Sequence, residues 1–189
     1  MGSRAISRLP ALLDDASQEL PPRLVCILLR LHRRYGQLCE EIAQIEGELK
    51  LQLAEDDPGQ RLLTIPGIGP MTASSLLAMA GDVHGFRRGR DFAASLGLVP
   101  RQHSTGGRAT LLGISKRGDK HLRCLLVQGA RAVMQQARRR TDALVIWLQA
   151  LMQRRHSNAV ACALANKMAR IVWAILAKGG AYRAHPAVA

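Results

Sequence analysis

Residues 22–58 read PRLVCILLRLHRRYGQLCEEIAQIEGELKLQLAEDDP and carry the strongest helical pattern of the chain. Its apolar side chains recur at alternating steps of four and three residues: Leu24, Leu28, Leu31, Tyr35, Leu38, Ile42, Ile45 and Leu49. This spacing is typical of a coiled-coil seam, so we predict one helix over residues 22–56 that ends before Pro58. Such a seam is stable only when another helix covers it. It therefore predicts either an oligomerisation or spacer arm or an ordinary long core helix.

Charge divides the 189-residue chain at the end of this helix. The chain has 27 Lys and Arg residues and 14 Asp and Glu residues. Residues 1–58 contain 7 of the basic and 10 of the acidic residues, whereas residues 59–189 contain 20 basic and 4 acidic residues. So basic a segment favours a polyanionic partner, by default nucleic acid; a merely basic protein from an Arg-rich genome is the alternative. Only 3% of the residues are aromatic, which argues against a reader of single strands built on aromatic stacking.

The cysteines and histidines do not form a metal or disulfide pattern. Cys26, Cys39, Cys124 and Cys162 lie far apart without a C-x-x-C pair, and the six histidines do not cluster. We interpret the cysteines as reduced thiols in helical cores and predict no zinc site. No apolar run reaches about 18 residues and the N-terminus lacks a signal-peptide pattern, so we expect a cytoplasmic protein without a membrane partner.

Residues 63–73 read LTIPGIGPMTA and have the pattern of a helix-hairpin-helix element. Gly67 and Gly69 permit a tight turn, and Pro70 suits the first position of the next helix. Backbone N–H groups at that helix start can hold a phosphate without reading base sequence. A simple turn between two helices is the alternative. The basic connector that follows, residues 82–92, is expected to be anchored by Phe86 and to turn its arginines to solvent or phosphate: Arg87, Arg88 and Arg90.

Residues 100–123, PRQHSTGGRATLLGISKRGDKHLR, combine two glycine-rich turns with many cations. The turn from Ser104 to Gly107 separates two extended stretches and predicts a short β-hairpin or extended loop. Asp119 is the predicted N-cap of a helix that runs to about residue 138. Glycine-rich turns flanked by cations suit phosphate contacts, and a basic surface hairpin without chemistry is the alternative. The candidate DNA-binding residues here are Arg101, Arg108, Lys116, Arg117, Arg123, Gly106 and Gly107, in addition to Gly67 and Gly69.

Two further amphipathic helices are predicted, over residues 141–153 and from Ser157 to Lys178, with Ser157 as N-cap of the second. The apolar stripe of the second indicates core packing: Val160, Leu164, Met168, Ile171 and Ile175. The predicted fold class is mainly α, a long coiled-coil helix packed with a small helical domain. That domain contains the helix-hairpin-helix-like element and the short β-hairpin or extended loop. We divide the chain into a flexible lead-in (1–21), the coiled-coil helix (22–58), the helical domain (59–180) and a tail (181–189).

Four ordered motifs together resemble the C-terminal half of the insertion sequence 110/116/902 family of transposases, to which pilin-gene invertases are similar. They are residues 63–73, residues 92–101 (FAASLGLVPR), residues 104–107 (STGG), and residues 113–118 (GISKRG) followed by Leu122 and Arg123. The resemblance covers residues 22–180, and it implies that the long helix is the interdomain coiled coil of the family.

The resemblance implies DNA transposition or recombination through a covalent serine–phosphate link, in an oligomer guided by an element-encoded RNA. The serine of the STGG motif would be the nucleophile, which is Ser104 here; Ser115 is the alternative. The resemblance also implies an N-terminal RNase H-like domain with an Asp-Glu-Asp-Asp set for a divalent metal such as Mg²⁺. It is consistent with a bacterial, cytoplasmic protein associated with the nucleoid.

This sequence departs from the family pattern because the metal-binding residues are missing. After residue 58 its only acids are Asp82, Asp91, Asp119 and Asp142, and residues 1–21 cannot build an RNase H-like fold. We expect a truncated or frame-damaged element, or a start codon assigned too late. No cofactor is expected in this chain, and Mg²⁺ only together with the missing domain.

The predicted function is therefore a DNA-binding transposase fragment that is inactive alone, since serine is a weak nucleophile without activation. The residues do not establish whether such a fragment has enzymatic activity. Two alternatives remain: a non-catalytic helix-hairpin-helix DNA-binding module, and a dominant-negative partner of full-length transposase. The expected partners are DNA, guide RNA, and a second copy or full-length transposase bound through residues 22–56.

Overall fold

The structure, a computed structural model, describes residues 6, 8–15, 20–105, 108–137 and 142–184. For residues 80–82, 104–105, 108–109 and 111 it describes the backbone alone. Within these ranges it contains eight α-helices, a 3₁₀ helix and one two-stranded antiparallel sheet. The predicted mainly α fold class is confirmed.

The elements follow one another with short connections. They are α1 (Leu9–Asp15), α2 (Pro22–Glu55), α3 (Asp57–Leu63), α4 (Pro70–Met79), a 3₁₀ helix (Ala80–Gly85), α5 (Gly89–Ser95), β1 (Pro100–Thr105), β2 (Arg108–Ile114), α6 (Lys120–Gln136), α7 (Ala143–Met152) and α8 (Ser157–Lys178).

The long helix predicted from the seam is α2, which has 34 residues and would measure about 51 Å at 1.5 Å per residue. Most of its seam side chains are exposed, from 40% at Leu24 to 61% at Leu31. The chain forms two compact units, Met1–Glu48 and Leu49–Ala189. Leu53, near the end of α2, is buried in the core of the second unit, so the last residues of this helix belong to that unit.

The lead-in predicted to be flexible contains the short helix α1, in which Leu13 is buried. Residues 1–5, 7 and 16–19 of that segment lie outside the described residues. At the other end of α2, a new helix begins at Asp57 and includes Pro58 in its first turn. Proline is tolerated there because the first N–H groups of a helix have no partner within it. Asp56 caps this helix by accepting a hydrogen bond from the Gly59 N–H at 3.0 Å.

The second unit is built around α8, which packs against α3, α5, α6 and α7. Eight of its residues are buried, including four of the five stripe residues predicted for the core: Val160, Leu164, Met168 and Ile175. Ile171 is only half-buried and packs against the same core. This helix is long and apolar enough to cross a membrane by length and composition. Its eight buried residues lie in the core of the second unit, and a core helix can have the same length and composition.

The hairpin is confirmed, and β1 and β2 pair antiparallel with His103 opposite Thr110 and Ser104 opposite Ala109. The register shifts between Pro100 and Gln102. Asp119 caps α6 as predicted, by accepting a hydrogen bond from the Leu122 N–H at 2.8 Å. The cap of α8 was predicted wrongly. His156 takes that position, and its Nδ1 accepts from the Asn158 N–H at 3.2 Å, so Ser157 becomes the first helical residue.

Residues 179–184, which follow α8, contact the second unit through Tyr182. Gly179 ends the helix with a φ of +77°, and the backbone N–H of Tyr182 donates to the Thr64 hydroxyl at 2.8 Å. Residues 185–189 of the predicted tail lie outside the described residues. The expectation of core cysteines was wrong: Cys26, Cys39 and Cys124 are exposed free thiols, and Cys162 is half-buried.

Candidate nucleic-acid interface

An open groove of about 1330 Å³ runs along α8, between the start of α5, the base of the hairpin and Trp147 of α7. We call it the basic groove because six cationic side chains line it: Arg88, Arg90, Arg101, Lys116, Lys167 and Arg170. No acidic side chain is found among the described residues that line it. Cations concentrated in one concave surface focus a positive potential, which suits the binding of a polyanion.

Close backbone packing brings the α5 cations to α8. Gly89 is the first residue of α5, and a Cβ there would lie 3.1 Å from the Arg170 carbonyl oxygen and 3.2 Å from Trp173 Cε3. The predicted anchor, Phe86, stands edge-on to Phe92 with ring centroids 5.4 Å apart, and its carbonyl accepts a hydrogen bond from Trp173 Nε1 at 3.0 Å. Arg88 and Arg90 therefore flank a glycine that allows α5 to approach Arg170.

The base of the hairpin is held by hydrogen bonds to its neighbours. Asn166 of α8 donates to the Leu98 carbonyl at 3.1 Å. The Ser115 N–H donates to Val99 O at 2.8 Å, and the Lys116 N–H donates to Gly97 O at 3.1 Å. Arg101 and Lys116, two of the predicted phosphate contacts, are thereby brought to the same groove as the cations of α5 and α8.

Two glycines make this arrangement sterically possible. Gly97 and Gly118 have φ values of +69° and +93°. A Cβ at Gly97 would overlap the backbone of Arg117, and one at Gly118 would overlap the carbonyl oxygen of Ser95. The end of α5 and the turn before α6 are thus in backbone contact, which only residues without a side chain permit. Lys116 in the same turn has a φ of 57°, an unusual value for a non-glycine residue.

The predicted phosphate contact Arg123 points into this turn. Its Nη1 donates to the Leu96 carbonyl at 3.0 Å and to the Asp119 carbonyl at 3.3 Å. The guanidinium therefore joins the end of α5 to the start of α6. Arg117, by contrast, is exposed next to the groove. The Arg108 side chain, and Gly106 and Gly107 entirely, lie outside what the structure describes.

The two candidate serines lie at opposite ends of the hairpin. Ser104 is near the turn end of β1, about 13 Å along the strand from Pro100 at 3.3 Å per residue, and only its backbone is described. Ser115 follows β2 at the base and is half-buried, and its Oγ accepts from the Arg117 N–H at 3.5 Å. Its neighbours in sequence, Ile114 and Lys116, line the groove.

The two glycines of the helix-hairpin-helix-like turn have different surroundings. Gly67 has a φ of +85°, and a Cβ there would lie 2.6 Å from the Gly129 carbonyl oxygen and 2.8 Å from Val133 Cγ2. It therefore lets the turn pack directly on α6. Around Gly69 nothing lies within 4 Å of the Cβ position, so this glycine borders open space. The helix after it, α4, begins at Pro70 as predicted.

Sequence reasoning missed the α8 side of the groove because it assigned the whole helix to the core. The polar groove residues Asn166 and Lys167 precede Arg170 by four and three residues, so all three lie on one face of that helix. A polar stripe at this spacing is the signal that could have revealed them. In the described part of the chain, no three His, Cys, Asp or Glu side chains lie together where they could hold a metal ion. These residues do not fit the divalent metal that the family resemblance implies.

The similarity to known proteins is concentrated in transposases. Residues 59–145 match the model of the family described as Transposase IS116/IS110/IS902. The transposase for insertion sequence element IS1328 of Yersinia enterocolitica is 55% identical over 178 residues, 94% of this chain and 53% of that protein. The transposase for IS1111A of Coxiella burnetii is 43% identical over 180 residues, 95% of this chain and 50% of that protein.

A more distant similarity involves an inversion protein. The pilin gene-inverting protein of Moraxella lacunata is 39% identical over 72 residues, 36% of this chain and 22% of that protein.

The probable family 20 transposase of Pseudomonas aeruginosa is 51% identical over 164 residues, 87% of this chain and 48% of that protein. The chain thus spans about half the length of the transposases that it matches.

Proposed function

Because the chain belongs to the IS116/IS110/IS902 family of transposases, we propose that its Leu49–Ala189 unit binds DNA during transposition and holds the phosphate backbone in the basic groove. The observation that carries this proposal is the convergence of six cations on one groove whose described lining includes no acid. Phosphate contacts from Arg and Lys position a protein on nucleic acid without reading its sequence. The proposed binding is therefore non-specific.

Salt dependence follows directly from this arrangement. Each phosphate contact releases counterions, so six contacts to duplex DNA correspond to a slope of about −5 for log affinity against log salt. We expect Lys167→Ala combined with Arg170→Ala to make this slope shallower by about 2, since two phosphate contacts are lost. The measurement is fluorescence anisotropy of a labelled duplex at several salt concentrations.

A matched control removes two exposed cations from α2, Arg30→Ala with Arg33→Ala, and changes the net charge equally. We expect this variant to keep the wild-type slope. Equal losses in both double variants would mean that net charge rather than the groove drives binding. Salt-insensitive binding by the wild type would contradict the proposal as a whole.

We also propose a serine nucleophile in the hairpin, Ser104, with Ser115 as the alternative. Its Oγ would bond to a DNA phosphorus while the bond from that phosphorus to one strand end breaks. The serine proton passes to a base, and the released strand oxygen takes up a proton. Cations lie at both ends of the hairpin and would offset the developing phosphate charge at either serine. Arg108, paired with Thr105, lies at the turn end with Ser104, and Arg101, Lys116 and Arg117 lie toward the base with Ser115. The described residues do not fit a divalent metal, so we expect the chain alone to bind DNA without recombining it.

A suicide substrate distinguishes the two serines. The chain would be mixed with nicked DNA and with a longer relative that supplies the family's metal-binding residues, and covalent adducts of this chain would be identified by mass. An adduct lost in Ser104→Ala and kept in Ser115→Ala supports Ser104, and the reverse pattern supports Ser115. If both variants keep the adduct, neither serine is the nucleophile.

A non-catalytic helix-hairpin-helix module is the second candidate, favoured by the open space around Gly69 at the start of α4. In that case Gly69→Asp should weaken DNA binding more than the α8 double variant, because it places a carboxylate where the phosphate would sit. Gly69→Ala is the neutral control. A third candidate, poisoning of full-length transposase, rests on the exposed seam of α2. Co-expression of this chain that leaves transposition unchanged would contradict it.

A further inference from the structure

Both tryptophans of the chain, Trp147 and Trp173, line the basic groove. The low aromatic content of the sequence argued against base stacking, yet these two large aromatic side chains converge on one surface. Leu112, Ile114 and Ile171 add aliphatic surface to the same groove. The groove therefore combines a substantial apolar lining with its cations, and a site for phosphates alone does not need this apolar part.

Both indole rings are held in place. Trp147 is half-buried, and Lys167 Nζ lies 4.5 Å from its ring centroid, a cation–π contact. Trp173 is half-buried and is fixed by the hydrogen bond from Nε1 to the Phe86 carbonyl oxygen. Lys178 Nζ lies 5.7 Å from its ring centroid. Fixed, partly exposed rings can stack on a ligand with little further loss of conformational freedom.

A duplex cannot use such a lining well. Its bases are stacked on one another and present only their edges in the grooves, while its exterior is phosphate and sugar. An unpaired strand exposes flat base surfaces that stack on aromatic rings, together with a backbone that tracks cations. We propose that the basic groove binds an unpaired stretch of nucleic acid, in which one base takes the place of Lys167 on the Trp147 ring and other bases lie against the apolar lining. The phosphates lie on Lys167 and the surrounding cations. This inference rests on the proposed nucleic-acid function of the same groove.

Size and charge favour this occupant over others. A site for one small molecule usually has about 300–1,000 Å³, and the groove has about 1330 Å³. It therefore has room for several linked units rather than one compact ligand. A purely apolar protein segment would bring no anion to the six cations, whereas a single strand supplies a phosphate for each base. DNA and RNA share this chemistry, and they differ at the 2′-hydroxyl.

Tryptophan fluorescence tests the inference in the unmodified chain, because both of its tryptophans line the groove. The purified 189-residue protein is titrated at low salt with a short single-stranded DNA, the RNA of the same sequence, and the corresponding DNA duplex. Anisotropy of labelled strands gives the affinities in parallel. We expect quenching by a single strand, and tighter binding of that strand than of the duplex. The DNA and RNA arms show which strand is preferred.

Variants then assign the effect to one ring. We expect Trp147→Ala to weaken single-strand binding about tenfold, in line with the loss of one stacked base, and to weaken duplex binding much less. Trp147→Phe keeps an aromatic face and should restore most of the affinity. Thermal unfolding identifies any variant that fails to fold, and the wild-type quenching experiment remains decisive in that case.

Each result decides between the occupants. Equal affinity for strand and duplex without quenching overturns the inference and leaves the proposed function intact. No binding of either at low salt overturns both. A fluorescence shift that depends on protein concentration but not on nucleic acid indicates that a second copy of the chain fills the groove, and this too overturns the inference.

Discussion

The two longest helices, α2 and α8, have similar sequence patterns and opposite surroundings. Both carry aliphatic residues at steps of three and four, and either could have been the centre of the fold. In α8, Leu164 is fully buried, whereas Leu31 of α2 is 61% exposed. Periodicity therefore predicts that a helix forms and which face is apolar. It does not predict what covers that face.

The largest expected effect tests this contrast directly. Leu164→Ala should lower the free energy of unfolding by about 2–5 kcal/mol, because it leaves a cavity in the core around α8. Leu31→Ala removes the same atoms from an exposed position and should change it by less than about 0.5 kcal/mol. Urea unfolding followed by circular dichroism, at low micromolar concentration, measures both.

Protein concentration sharpens the same pair of variants. If a second copy covers the α2 seam, the cost of Leu31→Ala should grow with protein concentration while that of Leu164→Ala stays constant. Equal costs for both variants in the most dilute sample would contradict the exposed position of Leu31.

A smaller difference in stability is expected when glycine is replaced by alanine once in each of the two units. Gly118→Ala should destabilise the second unit by about 2–3 kcal/mol, because the residue has positive φ and its Cβ would overlap Ser95 O. Gly36→Ala lies inside α2 with nothing within 4 Å of the Cβ position. It should stabilise the helix by about 0.5–1 kcal/mol. Thermal unfolding of the two variants should shift in opposite directions, and a loss in Gly36→Ala would mean that this position is covered.

Features set by neighbouring residues could be predicted from the sequence. The bounds of α2, the Asp119 cap and the hairpin depend on residues a few positions apart, and the structure has each of them close to its predicted place. The α8 cap failed although it is local, because His156 and Ser157 both offer an acceptor and pattern alone does not choose between them.

Features set by distant parts of the chain could not be predicted. The partner of Gly67 is Gly129 in α6, and the partner of Gly89 is Arg170 in α8. The groove exists only after these contacts form. Arg101 and Lys116 were therefore singled out by composition, whereas Lys167, Arg170 and the two tryptophans were not. Average aromatic content likewise does not record that both tryptophans share one surface.

The smallest expected effect extends the comparison from apolar to charged side chains. Arg123 and Arg117 were both predicted to hold phosphate, but Arg123 Nη1 donates to the carbonyls of Leu96 and Asp119. We expect Arg123→Ala to cost about 1–2 kcal/mol of unfolding free energy, because two partly buried hydrogen bonds to carbonyls are lost, and Arg123→Lys to recover little of it. Arg117→Ala should leave stability unchanged and reduce the salt slope of DNA binding by about 1. Denaturant unfolding and anisotropy on the same three proteins separate the roles. If Arg123→Ala changes the salt slope without changing stability, then Arg123 contacts phosphate. Its hydrogen bonds to the carbonyls of Leu96 and Asp119 would then not reveal its role, just as the apolar spacing of α2 does not reveal what covers that helix.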